Sequence, residues 1–189
     1  MIEDIAHALS LQCRYAGHVK KFYSVAEHSW WVSKVCSPEN AMWGLLHDAS
    51  EAYLVDLPGP LKRCSRLGDE YCRIERRLMS VICERFQLPQ LGPEDVKRSD
   101  DFMLHWEGRD LMGSHPAPWF GEGTHLLPVE TLDPVPAQAA ECAFLRRFEQ
   151  LFWARRLEEA LKGTPWPEET PREHGDGHSV KQRREERRG

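Results

Sequence analysis

The sequence predicts an all-α domain, and three observations predict it. Apolar residues recur at steps of three and four in successive segments. Helix-opening signals precede those segments, and Gly or Pro closes them. No run of alternating apolar and polar residues rises above noise. With 189 residues, 41% apolar and 29% charged, the chain is long enough for one domain with a real core. We place that domain at 1–163 and read 164–189 as a disordered charged tail, since the tail has almost no apolar content.

Residues 2–10 read as a short helix. Residues 11–24 form a basic, aromatic loop, in which Arg14, His18, Lys20 and Lys21 are candidates to meet a phosphate or are simply solvated. Ser24-Val-Ala-Glu27 has the form of a capping box. The helix it opens runs to about Cys36, with Val25, Trp31, Val32 and Val35 as its apolar stripe. His28 falls within that stripe, so it needs an internal partner, as a hydrogen-bonded core residue or as a metal ligand.

Ser37-Pro38 opens the central helix. On it His47, Asp48 and Glu51 share one face, Met42, Leu45, Leu46, Ala49 and Tyr53 take the other, and Gly44 leaves room between the polar groups. The prolines of the stretch from Asp56 to Lys62 end this helix in a loop that carries Asp56 and Lys62 toward the same face. A long amphipathic helix spans Ser65–Phe86, with Leu67, Tyr71, Ile74, Leu78, Ile82 and Phe86 inward. A further helix runs from Gly92-Pro93 to near Gly113. Its stripe is Val96, Met103, Leu104 and Leu111; Asp100 and Glu107 lie within it, and Asp101 is turned away. An inward Asp needs an Arg, a hydrogen-bond cage or a metal. A long Pro- and Gly-rich connection at 114–135 leads to a last helix over 137–162, with Ala140, Phe144, Phe148, Leu151 and Phe152 inward.

Several function classes are excluded as expectations. Net charge of −5 gives no general affinity for nucleic acid. No apolar run approaches a membrane span, and the first residues lack the form of a signal peptide. Six scattered cysteines read as reduced thiols of a cytoplasmic protein.

Three separate helices thus carry a metal-type donor: His28, then His47 and Asp48, then Asp100. One divalent ion would satisfy all four, and two nitrogens with two oxygens suit Mn, Co, Fe, Ni or Zn better than Ca. This order resembles the H…HD…D signature of the HD phosphohydrolase superfamily. Ala26-Glu-His-Ser29, Leu46-His-Asp-Ala-Ser-Glu51, Asp56-Leu-Pro-x-Pro-Leu-Lys62 and Val96-Lys-x-x-Asp100 resemble its small 5′-deoxynucleotidase branch, with its bacterial and phage relatives. The resemblance covers about residues 5–112. Arg14 stands where that branch has a phosphate-binding Arg, and Tyr15 where it usually has Trp.

The resemblance implies an HD-domain bundle of about five to seven helices around one divalent ion (Mn, Co, Fe, Ni, Zn or Mg) held by His28, His47, Asp48 and Asp100. It implies that Glu51, Asp56 and Arg14 take part in catalysis. It further implies that Arg14, Tyr15, His18, Lys62 and Asp56 meet a small nucleotide substrate. The expected reaction removes the 5′-phosphate of a (deoxy)nucleoside monophosphate. The alternatives are a dNTP triphosphohydrolase, such as a phage dATPase, and a non-catalytic nucleotide-binding module. A homodimer or higher homo-oligomer is compatible with this reading; a membrane or stable nucleic-acid partner is not expected.

Overall fold

In the computed structural model, residues 1–112 and 128–163 are described. The expected tail at 164–189 and most of the expected 114–135 connection lie outside them. Every regular element among the described residues is helical: α1 (Ile2–Leu11), α2 (Val25–Val35), α3 (Ala41–Leu46), α4 (Glu51–Leu54), α5 (Gly59–Cys64), α6 (Arg66–Arg85), α7 (Glu94–Leu111) and α8 (Ala137–Leu161). The chain separates into two compact units, Met1–Arg155 and Arg156–Gly189; the described part of the second is the end of α8 with the residues after it.

The first unit has two buried apolar groups that flank α2. One joins Ile5, Ala6 and Leu9 of α1 to Val25, Ala26, Leu45, Leu46, Ile82 and Phe144. The other joins Tyr23, Val32 and Ala41 to Val96, Met103, Trp106 and Leu111 of α7. Both sides of α2 are therefore covered, which is why its His28 is fully buried. The Ser24 hydroxyl caps α2 by accepting from the Glu27 N–H. The reciprocal half of the expected capping box is not made. Glu27 instead accepts from the Val135 N–H, and so ties the chain after residue 127 to α2. Val35, read as inward, is an exposed end of the helix.

The expected central helix is broken into pieces. Pro38–Asn40 is a 3-10 turn and α3 follows; the chain then passes through tight turns from His47 to Ser50 before α4. There the backbone bonds shorten to three-residue steps: Ala49 N–H to the Leu46 carbonyl, Glu51 N–H to Asp48 and Tyr53 N–H to Ser50. Leu45, Leu46 and Ala49 keep the inward face, but Tyr53 is exposed.

Two other readings are corrected. The stretch Asp56–Lys62 is not all loop, because α5 begins at Gly59. Pro60 lies in its first turn, where a missing N–H costs nothing. In α6 only the C-terminal half faces the core. Ile82 is buried, while Leu67 and Ile74 are exposed, because the first turns of α6 lie against α5.

Candidate metal centre

Two helices must approach closely for the site to form. A Cβ on Gly44 would stand 2.8 Å from the Cys36 Sγ and 3.2 Å from the Ser33 Cα. Gly44 therefore makes room for the backbone of α2, not for the polar groups of its own face. That contact sets His47 beside His28, with ring centroids 5.2 Å apart.

Both imidazoles are held through the same nitrogen. His28 Nδ1 lies 2.6 Å from Glu107 Oε1, and His47 Nδ1 lies 2.7 Å from the Gly44 carbonyl oxygen. A carbonyl only accepts, and so does an ionised carboxylate, so each Nδ1 carries the proton. Each neutral ring then turns a bare Nε2 inward, and the two Nε2 atoms are 3.3 Å apart. Asp48 Oδ2 is 3.3 Å from His47 Nε2 and 3.7 Å from His28 Nε2. Asp100 Oδ1 is 3.1 Å from His28 Nε2 and 3.9 Å from His47 Nε2. Four acceptors converge with no donor of their own.

Such a cluster favours a cation at its centre, whether a proton or a metal ion. Burial opposes a charged ring at both histidines, yet the carboxylates draw both toward it; His47 is pushed up to about 9, chiefly by Asp48. Only one proton fits between nitrogens at this separation. Asp48 is likewise held far below the usual carboxylate range, against the effect of its burial, by the two rings and Arg14. His28, His47 and Asp48 form a group that could hold a metal ion. The donor set, imidazole nitrogens and carboxylate oxygens, is chemically right for a divalent one.

Arg14 borders this cluster. Its Nη1 donates to Asp48 Oδ2 at 3.4 Å, and its Nε lies 3.3 Å from Glu107 Oε2 as an ion pair without the alignment of a hydrogen bond. Tyr15, next in the chain, gives its hydroxyl to Glu107 and its ring to the Arg14 guanidinium, 5.3 Å away.

On the other side stands Glu51, buried, with Oε2 lacking a partner. Burial, then the charges of Asp48 and Asp56, push its carboxyl up to about 9, although Arg14 and Lys62 pull the other way. Asp56 is also raised, by burial and Asp48 against the pull of Arg14. Gln12 fixes this pair: its amide donates to the Glu51 carbonyl at 2.9 Å, and its oxygen accepts from the Asp56 N–H at 3.2 Å. Between them Val55 has φ 63°, a conformation that a β-branched residue rarely adopts.

The structure thus brings together His28, His47, Asp48, Asp100, Arg14 and Tyr15, with Glu51 and Asp56 beside them. Lys62 is within electrostatic range of Glu51 and Asp48, but its ammonium is paired with Glu75 at 2.6 Å. His18 is exposed, and among the described residues its backbone N–H donates to the Tyr15 carbonyl. Lys20 and Lys21 turn away, to the Asp110 carbonyl and the Asp133 carboxylate.

Two further residues were not assigned to the site from sequence. Glu107 gave a signal, an acid on an apolar stripe in phase with Asp100. Gln12, a polar residue in a polar loop, gave none.

No protein-family model matches the chain. It is 37% identical over 107 residues to the uncharacterized protein RCAP_rcc00048 of Rhodobacter capsulatus, over 52% of this chain and 54% of that protein. It is 39% identical over 157 residues to the uncharacterized protein YfdR of Escherichia coli, over 82% of this chain and 86% of that protein. Identity at this level across most of both lengths means that the chain belongs to the family of YfdR.

Proposed function

We propose that this protein is a metal-dependent phosphohydrolase of the HD type that removes the 5′-phosphate from a (deoxy)nucleoside monophosphate. One observation carries the reading: two imidazoles, each held through Nδ1, turn bare Nε2 atoms on each other and on Asp48 and Asp100, with Arg14 at the edge. A divalent ion held by His28, His47, Asp48 and Asp100 would supply Lewis-acid polarisation of the phosphate and activation of water.

The chain's own groups supply the rest. Arg14 keeps its guanidinium charge and binds phosphate oxygens, offsetting negative charge as the P–O bonds exchange. Hydrolysis forms one P–O bond from water and breaks the ester P–O bond, whose oxygen leaves needing a proton. Burial and the charges of Asp48 and Asp56 raise the Glu51 carboxyl, which suits it to give a proton to that oxygen; the proton released by water restores Glu51. Asp56 is the second carboxyl on this side, fixed to Glu51 through Gln12.

The pairing of the cations favours a monophosphate over a triphosphate. Lys62 is neutralised by Glu75, and Lys20 and Lys21 are spent elsewhere, so Arg14 is the cation that the described residues set against the acceptor cluster. A triphosphate would need more.

The test is product identification after incubation with a panel of nucleoside monophosphates and dNTPs in Mn2+ or Co2+. Inorganic phosphate and nucleoside are expected. Released triphosphate would replace this reading with the dNTP one. Binding without turnover would leave a nucleotide-binding module.

A further inference from the structure

The proposed reaction leaves one buried charge unexplained. Glu107, on α7, is fully buried. Its Oε1 accepts from His28 Nδ1 at 2.6 Å and from the Tyr23 hydroxyl at 2.8 Å. Its Oε2 accepts from the Tyr15 hydroxyl at 2.6 Å and lies 3.3 Å from Arg14 Nε. A buried ion pair is weak evidence for stability, since apolar residues can fill the same volume as well or better. What this carboxylate does that no apolar residue can is fix two things at once.

The first is a ring. By accepting from Nδ1, Glu107 leaves His28 Nε2 bare and aimed at His47 and the two aspartates. The second is a strained turn. Tyr15 (φ 57°, ψ 30°) and Ala16 (φ 50°, ψ 31°) are both left-handed, and Gly17 follows at φ 81°. Consecutive non-glycine residues in this region are unfavourable and persist only where their surroundings impose them. The Tyr15 hydroxyl on Glu107 is one such restraint. The pairing of the Arg14 N–H with the Tyr23 carbonyl and of the Val25 N–H with the Gln12 carbonyl is the other. The turn is what carries Arg14 to the edge of the metal cluster.

We propose that Glu107 is the positioning residue of this site, a single buried carboxylate that sets the cation-binding His28 and the anion-binding Arg14 in register. The proposal rests on the metal reading above. It predicts that the two binding functions fail together when Glu107 loses its charge, without loss of the fold.

The experiment uses the full chain, stripped of metal. Mn2+ binding is measured from the signal of free Mn2+ in electron paramagnetic resonance. Binding of inorganic phosphate to the Mn2+-loaded protein is measured by calorimetry, and circular dichroism reports the fold. Glu107→Gln keeps the volume and an acceptor for His28, but turns a donor toward Arg14 and Tyr15. It is expected to stay folded and to lose about tenfold or more in affinity for both probes, the usual scale for the support of a metal ligand. Tyr23→Phe, which removes a hydrogen bond from the same carboxylate without touching His28 or Arg14, is expected to leave both affinities within about threefold.

Folded Glu107→Gln with both affinities like those of Tyr23→Phe would overturn the proposal. If Glu107→Gln does not fold, Tyr15→Phe decides. A fall in phosphate affinity with Mn2+ binding retained supports the proposal, and unchanged phosphate affinity overturns it. Wild-type protein that takes up no Mn2+ would overturn the metal reading itself, and this proposal with it.

Discussion

His28 Nε2 and His47 Nε2 face each other at 3.3 Å, across a helix contact that has space only because residue 44 has no side chain. His28 lies on α2 and His47 directly follows α3, so the separation of the two nitrogens is set by how closely α3 approaches α2. Gly44→Ala should force that contact apart. We predict a loss of about 1–3 kcal/mol in stability, the usual cost of overpacking a tight contact. Weaker Mn2+ uptake should accompany it. Thermal melts and a Mn2+ titration check this; unchanged Mn2+ affinity would show that the helix spacing does not govern the site.

Glu51→Gln should stabilise the metal-free protein while disabling it. The Glu51 carboxyl stands near 4.5 when free and is pushed up to about 9 in the fold by burial and by Asp48 and Asp56. A raised carboxyl pKa means that the folded state holds its proton more tightly than the unfolded one. That contribution is fully present below about pH 4.5 and is lost as pH rises through about 9. The amide never ionises, so the melting temperature of the variant should match wild type near pH 4.5 and exceed it increasingly toward pH 9. At saturating substrate kcat should fall by about 10²–10⁴, with metal retained. A gain in stability that does not grow with pH would contradict the assigned protonation. A kcat within about tenfold of wild type, with weaker metal binding, would make Glu51 a support for the ligands.

Asp100 and its neighbour separate by position alone. Asp100 reaches His28 Nε2 at 3.1 Å, whereas Asp101 is exposed and turned away from it around α7. Asp100→Asn should abolish turnover and weaken Mn2+ binding, and Asp101→Asn should leave both within a few-fold. Activity assays and Mn2+ titrations on the two variants are the check, and the reverse pattern would mean that Asp101 is the ligand.

These residues also mark what could be read before the fold was known. His28 and Asp100 were legible because each is a polar group on an apolar stripe, where an unpartnered donor or acceptor is costly. The all-helical class was legible from spacing and breakers. The break after Leu46 was not, since nothing from His47 to Leu54 is Gly or Pro and the apolar spacing continues across it. The left-handed turn at Tyr15 and Ala16 was illegible for a related reason. Only Gly17 announces such a conformation, and the turn is held by Glu107, distant in sequence, and by the Arg14 N–H on the Tyr23 carbonyl. The destinations of Lys20, Lys21 and Lys62 could not be read either, because a flexible charged side chain finds its partner only once the tertiary fold is set.

In the proposed function His28, His47 and Asp48 hold one divalent ion together with Asp100. The most direct measurement is the Mn2+ stoichiometry of the stripped protein, beside that of Asp48→Ala and with melting curves for both. About one ion per chain is expected for wild type, with a higher melting temperature on binding, since an ion that binds only the folded state stabilises it. Neither is expected for Asp48→Ala. Wild-type protein that binds no Mn2+, or Asp48→Ala that binds it equally well, would contradict that reading.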